Sequence, residues 1–259
     1  MEPTVEAVPN PPQKVMLITG ASRGIGRATA LLAAEQGYAI AINFVSDEIA
    51  AQSLAAQIRK LGAAVAVIQA DISKPDDIVK LFLSVDGKLG RLDVLVNNAG
   101  VLDQAMRLDC MSAERIERIM ATNVTGALLC AKEAVLRMST GHGGAGGSIV
   151  NVSSRAAVLG SASEFIDYAA SKGAVDTMTV GLANEVANEG IRVNAVRPGL
   201  IETEIHASSG DDQRVNRLLP NVPMQRGGTA LEVAEAILWL ASDNAAYTTG
   251  SFIEVSGGR

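Results

Sequence analysis

The chain has 259 residues, a formal net charge of −6, 48% hydrophobic residues and 19% charged ones. That mix supports an ordinary packed core and excludes disorder, and the absence of a basic run excludes a nucleic-acid surface. Two cysteines outside any CxxC pattern, Cys110 and Cys130, exclude a disulfide framework and read as small packing residues in a reducing compartment.

Aromatic residues are only 3%, so Ala, Val, Ile and Leu must build the core, which suits parallel strands packed closely between helices. The opening MEPTVEAVPNPPQK has acids and prolines but no apolar run, so it is no signal peptide, and residues 1–13 read as a disordered, Pro-rich tail. No stretch reaches the roughly 18 apolar residues of a membrane span, and a cytoplasmic protein with no membrane partner is the expectation.

From Lys14 strand-like and helix-like segments alternate. VMLIT (15–19) is a short buried strand ending in glycine, and residues 24–36 form a helix stopped by Gly37. AIAINF (39–44) is the second strand, 47–61 a helix ended by Gly62, and AAVAVIQA (63–70) the third strand. Lys74–Pro75–Asp76–Asp77 starts a helix with proline and acids in its first turn, running to about Lys88. LDVLVNNAG (92–100) is a strand that breaks into a glycine turn. Ser112 caps one long helix, 112–138, with Ile116, Ile119, Met120 and Val124 on its apolar face. GHGGAGG (141–147) reads as a flexible loop, SIVNVS (148–153) as a strand, and 167–188 as a helix. IRVNAV (191–196), the helix 230–241 and SFIEV (251–255) complete the chain.

This alternation implies βαβ crossovers and an α/β fold: a single doubly wound, Rossmann-like domain over 14–259, its seven-stranded parallel sheet covered by helices on both faces. A ligand then belongs at the carboxyl ends of the strands. TGASRGIG (19–26) lies at the first such end. There Gly20 allows a tight turn, while Gly24 and Gly26 let a pyrophosphate approach the backbone and the helix approach the sheet.

The G-x3-G-x-G spacing of this turn resembles the cofactor turn of the short-chain dehydrogenase/reductase family. So does Asp71 after the third strand, NNAG at 97–100, the set Asn123, Ser154, Tyr168 and Lys172, and RPG at 197–199 with Thr203. These motifs follow the family's order from about residue 15 to 256. The resemblance, with features similar to ketoacyl-reductase-like and glucose-dehydrogenase-like members, implies an oxidoreductase passing a hydride between NADP(H) and a small carbonyl or secondary-alcohol substrate. It implies a nicotinamide cofactor held by Gly20, Ser22, Arg23, Gly24, Ile25, Gly26, Phe44, Ser46, Asp71, Ile72, Asn98, Ala99, Gly100, Tyr168, Lys172, Pro198, Gly199, Ile201 and Thr203, and a homo-oligomer, a tetramer.

Ser154 stands fourteen residues before Tyr168 where the family commonly has thirteen. A one-residue insertion within 160–167 keeps Ser154 in place, and it is preferred over Ser153. Tyr168 and Lys172 are at i and i+4, so they project from one helix face, where the ammonium favours the phenolate of a group whose pKa is ordinarily about 10. Ser154 at a strand's end can donate to a carbonyl oxygen as charge develops there. By resemblance, Asn123 holds a water that links Lys172 to solvent.

His142 and His206 give no metal-ligand spacing and no Ser-His-Asp arrangement, so no metal is expected; His206 could border the substrate pocket. Residues 200–228 read as a substrate lid. The second β-strand ends in Phe44 where an NAD-binding acid would stand, and Arg23 and Ser46 suit a 2′-phosphate, so NADP(H) is preferred with NAD(H) possible. A cofactor-binding scaffold or sensor without turnover, and an epimerase or dehydratase on the same fold, are the competing readings.

Overall fold

The computed structural model describes residues 13–203 and 217–259. Seven strands form one parallel sheet in the order β3-β2-β1-β4-β5-β6-β7. They are β1 Val15–Ile18, β2 Ala39–Phe44, β3 Val65–Gln69, β4 Leu92–Asn97, β5 Gly147–Val152, β6 Ile191–Pro198 and β7 Phe252–Val255. The order reverses between β1 and β4, which opens a crevice at their carboxyl ends.

The helices are α1 Gly24–Glu35, α2 Glu48–Lys60, α3 Pro75–Leu89, α4 Ala113–Met120, α5 Ala127–Met138, α6 Ala156–Leu159, α7 Ile166–Val186 and α8 Ala230–Ala241. One core joins Ala33 of α1, Ile58 of α2 and Ile237 of α8 to one sheet face. The other joins Phe82 of α3, Ala134 of α5 and Val186 of α7 to the opposite face. β1 and β2 are buried throughout and β4, β5 and β6 nearly so, as apolar runs without alternation require, while the edge strands β3 and β7 are partly exposed.

Three expectations change. The helix foreseen over 112–138 is interrupted by a π-helical turn, Ala121–Gly126, between α4 and α5. A Cβ on Gly126 would lie 2.5 Å from the carbonyl oxygen of Ile72, so the wide turn brings the helix against the β3–α3 backbone. By length and composition Ala113–Met138 would also pass for a membrane span, but its packing on β4 and α7 is that of a core helix.

The glycine stretch 141–147 is a packed turn. A Cβ on Gly144 would meet the Met138 oxygen at 2.3 Å, and one on Gly146 the Gly190 oxygen at 2.5 Å. The glycines there serve close backbone approach. Finally, Cys130 is buried, as expected of a packing residue, but Cys110 is exposed.

The base of the 200–228 segment is pinned to the fold: the Glu202 amide donates to Gly228, the Gly228 amide to Leu200, and the Met224 amide to Gly257. His206 and the SSGDD run at 208–212 lie outside the described residues, as does the 1–13 tail apart from Gln13.

Candidate active site

The glycine turn is built by three polar residues beneath it. Thr19, fully buried at the end of β1, accepts the amides of Asn98 and Ala99 on its Oγ1, both at 3.0 Å. Asn98 returns two bonds through Nδ2, to the carbonyls of Thr19 at 2.8 Å and Gly20 at 3.0 Å. Asn43 of β2 accepts the Gly20 amide at 3.2 Å and donates to the Ala70 carbonyl at 2.9 Å. Gly20 and Gly24 have φ of 62° and 54°, which a residue with a Cβ rarely adopts. Thr19 and Asn43 are positioning residues that motif reading missed. Both are polar in otherwise apolar strands, and a buried polar side chain in such a run must have a partner.

Beyond this turn a cavity of about 990 Å3 runs along the strands' carboxyl ends. Of the sequence-based set it is lined by Gly20, Ser22, Arg23, Gly24, Ile25, Phe44, Ser46, Asp71, Ile72, Asn98, Ala99, Gly100, Ser154, Tyr168, Lys172, Pro198, Gly199, Ile201 and Thr203. Gly26 and Asn123 stand behind the wall. Gly26 packs the helix start on Asn98. Arg23 is exposed at the start of α1, without a side-chain partner among the described residues. Burial pushes the Asp71 carboxyl up, but the Ser73 hydroxyl and amide donate to it and Lys74 stands near, so the net effect is a lowered pKa.

At the other end of the cavity α7 carries Tyr168 and Lys172 one turn apart. The Lys172 Nζ lies 5.6 Å from the centre of the Tyr168 ring and donates to the Val152 carbonyl at 2.7 Å. Burial draws its ammonium down to about 8, while the carboxylate of Asp176, one turn further on, pulls the other way.

Ser153 and Ser154 differ in their bonding. The Ser153 hydroxyl is buried and donates to the Lys172 carbonyl at 3.3 Å. Ser154 is partly exposed to the cavity, and its Oγ accepts the Ala156 amide at 3.1 Å, which leaves its proton for a ligand. The segment before α7 runs through a tight turn: Gly160, Ser161 and Ser163 have φ of 77°, 49° and 62°. Two non-glycine residues in that region are a locally strained backbone at the cavity wall.

Asn123, 1% exposed in the π turn, spends its amide on protein. Its Oδ1 accepts the Val101 amide at 2.8 Å, and its Nδ2 donates to the Val101 carbonyl and to Ser171 Oγ, both at 3.0 Å. A Cβ on Gly100 would lie 3.4 Å from Lys172 Nζ and 3.5 Å from Asn123 Oδ1, so the two side chains converge on that glycine. Among the described residues no cluster of three His, Cys, Asp or Glu could hold a metal.

Such an arrangement can hold an anionic dinucleotide by backbone amides, polarise a carbonyl oxygen and exchange a proton with it. Known proteins similar to this chain are oxidoreductases. A family model described as enoyl-(acyl carrier protein) reductase matches residues 20–259. An oxidoreductase of Escherichia coli K12 named uncharacterized, YgfF, is 55% identical over 95% of this chain and 99% of its own. The 3-oxoacyl-[acyl-carrier-protein] reductase FabG of Staphylococcus epidermidis is 35% identical over 95% of this chain and 98% of its own. A short-chain type dehydrogenase/reductase from Mycobacterium marinum superposes with a TM-score of 0.87 at 35% identity, covering 95% of this chain and 94% of that one. Levodione reductase superposes with a TM-score of 0.87 at 28% identity, covering 95% of this chain and 96% of that one.

Proposed function

The chain belongs to the short-chain dehydrogenase/reductase family of oxidoreductases, and we propose that it is an NADP(H)-dependent carbonyl reductase or secondary-alcohol dehydrogenase using Tyr168 as proton donor and acceptor. The observation that carries this reading is that Ser154, Tyr168 and Lys172 share one cavity with the glycine turn of β1 and α1. Reacting group and cofactor cradle are then contiguous, as a direct hydride transfer needs.

The residues present suit a dinucleotide. A Cβ on Gly26 would collide with Asn98, so the cradle requires glycine, and the start of α1 offers unpaired amides to a pyrophosphate. When bound, the nicotinamide supplies the redox chemistry. Gly20 to Gly24 would hold the pyrophosphate, Asp71 the adenine side, and Lys172 the ribose hydroxyls of the nicotinamide half.

Ser154 donates to the substrate's carbonyl oxygen and stabilises the charge that develops on it. Tyr168 gives that oxygen its proton in reduction and takes it back in oxidation. Lys172 favours the phenolate through its nearby charge, and with a pKa of about 8 it is mostly an ammonium at pH 7. Asn123 acts from behind, fixing Val101 and Ser171, and the water relay implied by family resemblance belongs to the same proposal. The segment 200–228 is assigned to covering the substrate.

The NADP(H) preference rests on the end of β2. Phe44 stands there, buried, where an NAD-binding acid would be expected. The Asp47 carboxylate next to it is engaged as the cap of α2, accepting the Ala50 amide at 2.9 Å.

Following NADPH absorbance against a panel of ketones and aldehydes, with NADH in parallel, tests the assignment. Turnover of at least one compound, faster with NADPH, is expected. A protein that binds NADPH but reduces none of them is not a reductase of this kind.

We also propose a homo-tetramer working in the cytoplasm. Leu128 and Leu136 on α5 are 48% and 43% exposed, and Val180 on α7 is 43% exposed, so these apolar helices are not fully used within one chain. Light scattering that returns a monomer mass at micromolar concentration overturns the tetramer.

A further inference from the structure

Arg115 of α4 and Asp167 of α7 form a buried ion pair, their side chains 7% and 1% exposed. The Arg115 Nε donates to Asp167 Oδ2 at 2.7 Å and its Nη2 to Oδ1 at 3.3 Å. Each partner also holds a piece of backbone. Asp167 Oδ1 accepts the amide of Tyr168 at 2.9 Å, and Arg115 Nη1 donates to the Gln104 carbonyl at 2.7 Å. Gln104 follows Val101 and Leu102 of the cavity wall.

The start of α7 needs such a device. Phe165, its cap residue, makes no side-chain bond to the helix, so the first-turn amides depend on other acceptors. The carboxylate of Asp167 supplies one, at the positive end of the helix dipole. A guanidinium meets it with two bonds from one fork, Nε to Oδ2 and Nη2 to Oδ1.

Stability alone is a weak reason for this pair, since apolar side chains of similar volume commonly fill such a space as well or better. Apolar side chains could bond neither the Tyr168 amide nor the Gln104 carbonyl. We propose that Arg115 and Asp167 are positioning residues for the proton-transfer step. They fix the first turn of α7, and with it Tyr168, against the substrate wall formed after β4. The inference rests on the role of Tyr168 proposed above.

The test uses the full chain with NADPH and ethyl acetoacetate as the probe substrate, in Arg115→Lys and in the double variant Arg115→Met/Asp167→Leu. The double variant removes both charges together, so that neither is left buried and unpaired. Expected are a kcat lower by roughly ten- to a hundredfold, NADPH affinity within about twofold of wild type, and an unchanged KM. Amide exchange over 166–170 should quicken by about tenfold, with exchange over 175–186 unchanged.

Wild-type kcat in the double variant overturns the inference, as does loss of NADPH binding in step with kcat or faster exchange along the whole of α7. Should the double variant fail to fold, Arg115→Lys decides: it keeps the charge but loses the fork, and an unchanged kcat refutes the positioning role. A wild-type protein that binds NADPH and reduces no carbonyl compound sinks the reaction proposed above instead. The exchange measurement would still decide whether the pair orders the first turn.

Discussion

Asn98 fills the space that a side chain on Gly26 would need: a Cβ built there would lie 2.5 Å from Asn98 Nδ2. That nitrogen is already committed to the carbonyls of Thr19 and Gly20. Gly26→Ala therefore pushes Asn98 away and opens the turn that should receive the pyrophosphate. Overpacking of this kind costs about 1–3 kcal/mol. We expect a lower melting temperature and, more tellingly, the loss of the further stabilisation that saturating NADPH gives the wild type. Thermal melts with and without NADPH check it; an equal NADPH-induced shift in both proteins refutes it.

What could be read beforehand follows from the range of the forces involved. The strands announce themselves because a doubly covered parallel sheet needs predominantly apolar runs, and VMLI (15–18) and AIAINF, with Asn43 as its one polar residue, are such runs. The Tyr168–Lys172 pair is legible because i and i+4 share a helix face. The π turn at 121–126 is not, because it depends on Gly126 meeting the Ile72 carbonyl from a distant loop. Arg115 and Asp167 are equally silent: 52 residues separate them, and each alone reads as an ordinary surface charge on a helix. Thr19 and Asn43 were visible as polar residues within strands, but their partners were not.

Tyr168→Phe keeps the ring and removes the proton. Turnover should fall by at least roughly a hundredfold, with NADPH affinity almost unchanged. Lys172→Ala removes a buried cation with two roles, so kcat and NADPH affinity should both fall. Steady-state kinetics and fluorescence titration with NADPH separate the two patterns. A Tyr168→Phe protein with near wild-type rates on a confirmed substrate would show the proton donor to be another group.

The pKa of about 8 at Lys172 sets a pH limit. Burial lowers the value from the ordinary lysine range, so the ammonium is present below about pH 8 and lost as pH rises through it. Activity that depends on this charge should fall on the alkaline side of about pH 8. Asp176 raises the same pKa, so Asp176→Asn should move the limb to lower pH. Asp176 also pairs with Arg197 at 2.9 Å, and Arg197 stacks over Phe252 at 4.0 Å, which keeps that cation in place when the carboxylate goes. A pH profile of kcat/KM checks this; a limb that stays put, or moves to higher pH, contradicts it.

The choice between the two nicotinamide cofactors depends on one phosphate, and two features at the end of β2 bear on it. Phe44, 4% exposed, brings no carboxylate to the cavity. Asp47, which does line it, spends its side chain on the Ala50 amide. A 2′-phosphate therefore meets less repulsion than an acid ending the strand would impose. Arg23, exposed on the cavity rim, offers a forked donor for that phosphate, and Ser46, lining the same cavity, a hydroxyl. A charge-assisted contact of this kind is worth about 1.5–3 kcal/mol. Arg23→Ala should then weaken NADPH binding by roughly ten- to a hundredfold and leave NADH nearly unaffected. Phe44→Asp should do the reverse, weakening NADPH by repulsion and improving NADH by pairing with its ribose hydroxyls. Titrating both cofactors against wild type and both variants decides the matter. Equal affinities in the wild type, or equal losses for the two cofactors in Arg23→Ala, would overturn the NADP(H) preference.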